Sequence, residues 1–178
     1  MIKKLLLAVL PFIIWNCTKP VPRKPISKQS GSFIIQSIER NKQLKDEEEN
    51  YIKELIKKDT INTYLESGSG FWYTYKIKDT VKTQKPSFGD IVNFDYDLRY
   101  LNGDTIYSKN SLKNQNHIID KEVLFYGLRE GLKLMKEGET IEFIFPSQHA
   151  YGYYGDEDKI KSNVPLISEV TLNSITKK

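Results

Sequence analysis

Val92-Asn93-Phe94-Asp95-Tyr96-Asp97-Leu98-Arg99-Tyr100 alternates apolar with polar residues, and Asn102-Gly103 follows before Thr105-Ile106-Tyr107. A period of two puts every apolar side chain of the first run on one face, so the stretch reads as a half-buried strand. Asn-Gly tolerates the positive φ values of a two-residue type I′ turn, which makes the two runs a β-hairpin. Further out, Ile141, Phe143 and Phe145 alternate with Thr140 and Glu142. Leu166, Val170 and Leu172 mark a last strand, with the polar Ser168 on the same face. Phe71 to Ile77 reads as an earlier strand following Gly68-Ser69-Gly70. Val123 to Lys136 holds a short helix closed by Glu137-Gly138. Antiparallel strands around one helix predict an α+β domain, a sheet wrapped over a helix.

The amino-terminal part has a different character. Lys3 and Lys4 precede an apolar run from Leu5 to Trp15, then Asn16 and Cys17, the only cysteine. About eleven apolar residues span roughly 16 Å as a helix, short of a ~30 Å hydrocarbon core, so a secretory signal fits better than a membrane span. Export is therefore expected. Thr18 to Ser32 carries Pro20, Pro22 and Pro25 with Lys19, Arg23, Lys24 and Lys28 and no acidic residue. That composition predicts an extended tether of roughly 3 Å per residue, or a basic stripe touching anionic headgroups. Between Lys45 and Asp59, Tyr51, Ile52, Leu55 and Ile56 form one helical stripe, with Glu49/Lys53 and Glu54/Lys58 as i,i+4 pairs. This helix packs on its own domain or, if its repeat is longer, forms a dimer seam. The expected order is a signal at 1–17, a Pro/Lys-rich linker at 18–36, a helical extension at 37–70 and a domain at 71–178.

With 178 residues, 39% hydrophobic and 12% aromatic, one globular domain plus an extension is the default. Much of the net charge of +4 lies in the tail, so no nucleic-acid site is expected. His117 and His149 are not spaced with cysteine or carboxylate as metal ligands. No Ser/His/Asp or Cys/His constellation suggests a hydrolase. Asp156-Glu157-Asp158 reads as a solvated loop tip, or as a site for a cation or basic partner. Leu128, Phe143 and Phe145 would be core in any small α+β domain.

The run Gly127-Leu128-Arg129-Glu130-Gly131, then Gly138, then Phe145-Pro146-Ser147-Gln148-His149-Ala150-Tyr151-Gly152, resembles the signature of FKBP-type peptidyl-prolyl isomerases. The similarity runs from about Lys76 to Ile175. It implies an FKBP-like fold, cis–trans isomerisation of X-Pro bonds in polypeptide substrates, and no cofactor or metal. It also implies site residues. Tyr96, the backbone N–H of Phe125 and the hydroxyl of Tyr151 would act on the substrate, with Ile106, Tyr107, Leu124, Leu128, Phe143, Phe145 and Ile160 around the proline ring. Several positions depart from the family pattern. Tyr107 stands where an aspartate is usual, Ile106 where Phe is, Leu128 where Trp is, and Ser168 replaces an aromatic. Gln115 to Ile118 offers no counterpart for an aromatic of the bulge before the helix. Turnover could thus be reduced, leaving a chaperone or docking module that grips proline-containing segments.

Cys17 resembles the lipidated cysteine of bacterial lipoproteins, although Trp15 and Asn16 replace the small residues usual before it. The other reading is a thiol in an uncleaved anchor. Together with the helix and the Gly70-Phe71-Trp72-Tyr73 strand, this resembles the gliding-motility-associated FKBP-type lipoproteins of Bacteroidetes. That resemblance implies lipid anchoring to the cell envelope, at the outer membrane or periplasmic face, and partners in motility or secretion machinery.

Overall fold

A computed structural model describes residues 30–178. The signal-like run, Cys17 and residues 18–29 lie outside the described residues. The chain divides into two compact units, Met1–Glu39 and Arg40–Lys178, and the second carries the sheet and the site.

Helix α1 runs Ser30–Lys58, twice the length that the Lys45–Asp59 stripe suggests. Residues 30–36, expected to end the linker, are therefore helical. Pro25 is the last proline before them, and nothing after it removes a helical N–H. Ile52 is fully buried on this helix, and Leu55 and Ile56 pack beside it against Trp72, Ile144 and Ile167. Tyr51, expected in the same stripe, is instead 57% exposed. Glu49 bridges Lys45 at 3.6 Å and Lys53 at 3.7 Å. Among the described residues no helix is long and apolar enough to cross a membrane.

Eight strands form one antiparallel sheet: β1 Leu65–Glu66, β2 Trp72–Ile77, β3 Ile91–Tyr96, β4 Leu98–Arg99, β5 Thr105–Tyr107, β6 Gln115–Ile118, β7 Thr140–Phe145 and β8 Leu166–Thr176. The spatial order is β1-β2-β7-β8-β3-β6, with β4 pairing β8 and β5. Two further short helices are α2 Lys109–Leu112 and α3 Tyr126–Leu132. Every residue of β7 is buried, because both faces of this strand are covered. Ile141, Phe143 and Phe145 point to the main core with Phe71, Phe94, Leu128 and Leu132. Ile144 points to the smaller cluster under α1. The sheet is thus wrapped over α3 on one face and covered by α1 on the other, the α+β architecture expected.

Glycines set how closely α3 approaches. A Cβ on Gly131 would lie 3.0 Å from the Phe143 ring, and one on Gly127 would lie 2.8 Å from the His149 carbonyl oxygen and collide with the Phe145 ring. Gly127 therefore admits no side chain, and at Gly131 even a methyl group would press on the Phe143 ring. The helix is shorter than Val123–Lys136 because Phe125 is extended, while Leu134 and Met135 close tighter turns onto Gly131 and Leu132.

The hairpin differs from a type I′ turn. Gly103 alone has a positive φ, 93°, and its N–H donates to the Tyr100 carbonyl at 2.9 Å. The Tyr100 N–H donates to Asp104, giving a three-residue loop with glycine in the left-handed position. Asn102 acts through its side chain, which accepts from the Asp104 N–H at 3.0 Å.

Ser168 has a structural role. Fully buried, its hydroxyl donates to the Asp97 carbonyl at 2.7 Å, and the Glu169 N–H donates to the Asp97 carboxylate at 2.8 Å. Together they satisfy the backbone where β3 breaks before β4, a place where an unpaired buried carbonyl would be costly.

Glu142, 8% exposed on β7, accepts from Tyr64 (2.9 Å) and Arg99 (2.9 Å) and pairs with Lys76 (3.2 Å). Burial alone would raise its carboxyl. The bonds from Arg99, Tyr64 and Lys76 outweigh burial and hold it below the ordinary 4.5. A depressed carboxylate stabilises the fold above its unfolded value and loses that contribution as pH falls through the folded one. Glu142→Gln is expected to cost about 1–2 kcal/mol at neutral pH by removing the charge that Arg99 and Lys76 face, with Asp97 at 3.2 Å left to Arg99. In urea titrations the gap to the parent narrows below pH 4.5.

Candidate active site

The residues named for the pocket arrive from seven separate segments and share one apolar cluster. Tyr96 ends β3, Ile106 and Tyr107 lie on β5, and Leu124 and Phe125 precede α3. Leu128 lies on α3, Phe143 and Phe145 on β7, Tyr151 in the loop after β7, and Ile160 in the long flap before β8. Tyr96, Ile106, Leu128, Phe143, Phe145 and Ile160 belong to the main core, and Tyr107, Leu124, Phe125 and Tyr151 pack against it half-exposed. The last four carry the exposed surface of this cluster. Leu128, Phe143 and Phe145 are fully buried and support the floor from beneath, with no surface left for a ligand.

Aromatic rings run through the site in a continuous chain. Phe125 lies 5.2 Å from Tyr151 and edge-on to Phe145 at 5.3 Å. Phe145 stacks on Phe143 at 5.3 Å and 12°. Phe71, read from the sequence only as a strand residue, closes the stack from below at 5.3 and 5.8 Å. Phe94 backs Tyr96 at 5.5 Å. Phe125 is also the N-cap of α3, extended at φ −62° and ψ 146°, with no side chain capping the helix. The first N–H groups of that helix therefore lack intrahelical partners.

Among the described residues the hydroxyls of Tyr96 and Tyr151 have no hydrogen-bond partner. Burial raises both phenols, and Tyr151, which also feels Tyr96 and Asp156, is pushed up to about 12. Both stay protonated at physiological pH and can donate.

Within the acidic stretch Glu157 and Asp158 are exposed, as a solvated tip would be, but Asp156 is tied down. Asp156 accepts from the Tyr107 hydroxyl at 2.6 Å and from the N–H groups of Ile160 at 2.7 Å and Asp158 at 3.0 Å. Asp158 also lies 3.0 Å from the Tyr107 hydroxyl, and the Lys159 ammonium sits 4.8 Å from the centre of that ring. The bond to Asp156 holds the Tyr107 phenol well above its usual range. Gly155 makes the knot possible: at φ +70°, a Cβ there would meet the Ile160 carbonyl at 2.1 Å. Tyr107 thus anchors the flap that carries Ile160. The contact spans 49 residues, and no local pattern announces it.

Neither histidine enters this pocket. His117 is buried on β6, its Nδ1 3.5 Å from Glu122, and desolvation lowers its pKa. The His149 ring lies against Tyr126 at 5.3 Å, close to Gly70. Among the described residues no three His, Cys, Asp or Glu side chains gather as metal ligands.

The elements thus bring together an aromatic cluster, two protonated phenols and a helix start without a side-chain cap. The family model for FKBP-type peptidyl-prolyl cis-trans isomerases matches residues 82–173, and the chain belongs to this family. It is 31% identical over 155 residues to the probable FKBP-type peptidyl-prolyl cis-trans isomerase FkpA of Neisseria meningitidis serogroup B, covering 87% of this chain and 55% of that protein. It is 33% identical over 104 residues to the peptidyl-prolyl cis-trans isomerase Mip of Coxiella burnetii, covering 58% of this chain and 45% of the relative. The chain thus spans about half the length of these curated relatives. Two solved structures share the fold. A peptidyl-prolyl cis-trans isomerase from Pseudomonas syringae pv. tomato superposes with TM-score 0.61 at 22% identity, covering 76% of this chain and 96% of that one. FkpA from Escherichia coli superposes with TM-score 0.61 at 21% identity, covering 98% and 82%.

Removing the Tyr107 hydroxyl tests the flap anchor. Tyr107→Phe is expected to speed hydrogen exchange of the Ile160 amide about fivefold, the equivalent of ~1 kcal/mol, while the β7 and β8 amides keep their protection. Unchanged Ile160 exchange would remove Tyr107 from that role.

Proposed function

We propose that the chain catalyses cis–trans isomerisation of X-Pro bonds and assists the folding of exported or envelope proteins, components of gliding-motility machinery among them. The observation that carries the catalytic reading is the Phe125–Tyr151 pair, 5.2 Å apart, with a protonated hydroxyl free of any described partner. Family membership supports the same chemistry.

Rotation about an X-Pro amide crosses a barrier of about 18–20 kcal/mol because the planar form is resonance-stabilised. No proton transfer or covalent intermediate is needed. An apolar cup takes the proline ring out of water, while the Phe125 N–H and the Tyr151 hydroxyl bond the flanking carbonyls most strongly as the amide twists. Each 1.4 kcal/mol of preference for the twisted form is worth about tenfold in rate. Tyr96 lines the cup, and the anchored flap places Ile160 over it.

Export and attachment through Cys17 are part of the proposal, supported by the basic start, the short apolar run and the lone cysteine. They would place the domain at the periplasmic face of an envelope membrane, on a proline-stiffened tether. A second reading, binding of proline-containing segments with little turnover, draws on Tyr107: its hydroxyl is engaged by Asp156 and does not face a substrate freely.

Exchange spectroscopy on an apolar-Pro tetrapeptide separates these readings. The purified chain is expected to accelerate cis–trans exchange, and Tyr151→Phe to lose about tenfold, near 1.4 kcal/mol. Peptide shift changes without acceleration would leave only the binding module. For the anchor, bacterial cells expressing the chain are expected to incorporate labelled palmitate into it, with the label lost in Cys17→Ala. An unlabelled parent would rule out lipidation.

A further inference from the structure

We propose that Glu48 on α1 is a positioning residue for the Tyr151 wall of the pocket, so that the amino-terminal helix, outside the family-matched stretch, tunes the substrate site. The inference rests on the isomerase reading and assigns the site a determinant from a separate element.

The loop carrying Tyr151 is a tight turn with one donor left over. After Pro146, the N–H groups of His149 and Ala150 donate back to the Pro146 carbonyl at 2.8 and 3.1 Å, and Gly152 donates to the Ser147 carbonyl at 2.9 Å. Ser147 itself is 8% exposed, and a buried N–H needs an acceptor. Glu48 supplies it: its Oε1 lies 2.5 Å from the Ser147 nitrogen. The bond crosses 99 residues of sequence and is made four residues before the catalytic tyrosine.

Both ends of this bond are fixed. Ile52, one turn after Glu48 on the same helix face, is fully buried against Trp72, Ile144 and Ile167, which sets where the carboxylate lies. On the loop side, His149 is held by two backbones that carry no side chain. A Cβ on Gly127 would lie 2.8 Å from the His149 carbonyl oxygen, and one on Gly70 would lie 2.8 Å from its Nε2. Beside the bond a cavity of about 740 Å³ opens between helix and loop, with Leu44 and Tyr51 on one side and Gln148 and Tyr153 on the other. With that space beside it, the Glu48 bond is a polar link through which α1 restrains the turn. Desolvation raises the Glu48 carboxyl, so the group is kept half-buried at a cost. Without the bond, the turn gains freedom and the Tyr151 hydroxyl spends less time where it meets the twisted carbonyl. That loss falls on the transition state more than on ground-state binding.

The test uses the full chain and its Glu48→Ala, Glu48→Gln and Lys45→Ala variants, with three readouts: tetrapeptide exchange kinetics, the Ser147 amide exchange rate and thermal unfolding. Glu48→Ala is expected to lower kcat/KM three- to tenfold, mainly in kcat, and to speed Ser147 exchange. Glu48→Gln keeps an acceptor oxygen and is expected to restore most of the rate, and Lys45→Ala changes neither. Turnover unaffected by Glu48→Ala, or a loss that Glu48→Gln does not relieve, overturns the proposal. A parent chain without turnover sinks the isomerase reading instead. In that case the Tyr151 ring shift, read with 3-fluorotyrosine, still decides Glu48: movement in Glu48→Ala but not in Glu48→Gln supports it, and no movement overturns it.

Discussion

Everything on the pocket side hangs on the contact between α3 and β7. Phe143 and Phe145 lie stacked and wholly buried, and the helix rests closely on them because Gly127 offers bare backbone where a side chain would collide and Gly131 keeps the approach to Phe143 open. That approach places Phe125 at the helix start, and Phe125 in turn leans on Tyr151. A shift of one ångström in the helix would be passed to both groups proposed to hold the substrate, since close-packed rings transmit displacement and do not absorb it. Phe71, arriving from before β2, fixes the stack from its other side.

The opposite face of the same strand is organised by charge as well as by apolar contact. Ile144 meets Ile52 and Trp72 under α1, while Glu142 on that face gathers Arg99, Lys76 and Tyr64. Those partners come from β4, from β2 and from the segment before β1, so one carboxylate ties together chain segments far apart in sequence. A slip of β2 on β7 would take Lys76 away from the carboxylate while Arg99, held by β4, stayed in place. The strand thus serves two cores with two chemistries.

Much of this was legible in the residues. The alternation from Val92 to Tyr100, the glycines around Leu128 and the run ending at Gly152 led to the sheet, the helix and the aromatic pocket. What the sequence left hidden shares one property, namely partners distant along the chain. The Tyr107–Asp156 bond and the Glu48–Ser147 bond join positions with no common periodicity, so Asp156 read as a solvated tip and Glu48 was not noticed. Ser168 looked like a flaw in an apolar face until the break between β3 and β4 supplied Asp97 as its acceptor. The Asn102-Gly103 turn was recognised as a turn but given the wrong geometry. Glycine alone took the left-handed conformation, and the asparagine contributed its side chain.

The place of β2 sets the boundary of the folding unit. The family match begins at residue 82, whereas β2 ends at Ile77 and covers one whole side of β7. A fragment trimmed to the matched stretch would strip that neighbour away and leave β7, whose six residues are buried in the whole chain, along an open sheet edge with unpaired N–H and C=O groups. Such an edge is a template for intermolecular pairing. Domain grafting or truncation guided by the family limits alone would therefore favour aggregation, whereas a fragment that keeps β1, β2 and the Ile52 stretch of α1 retains the cover on that side.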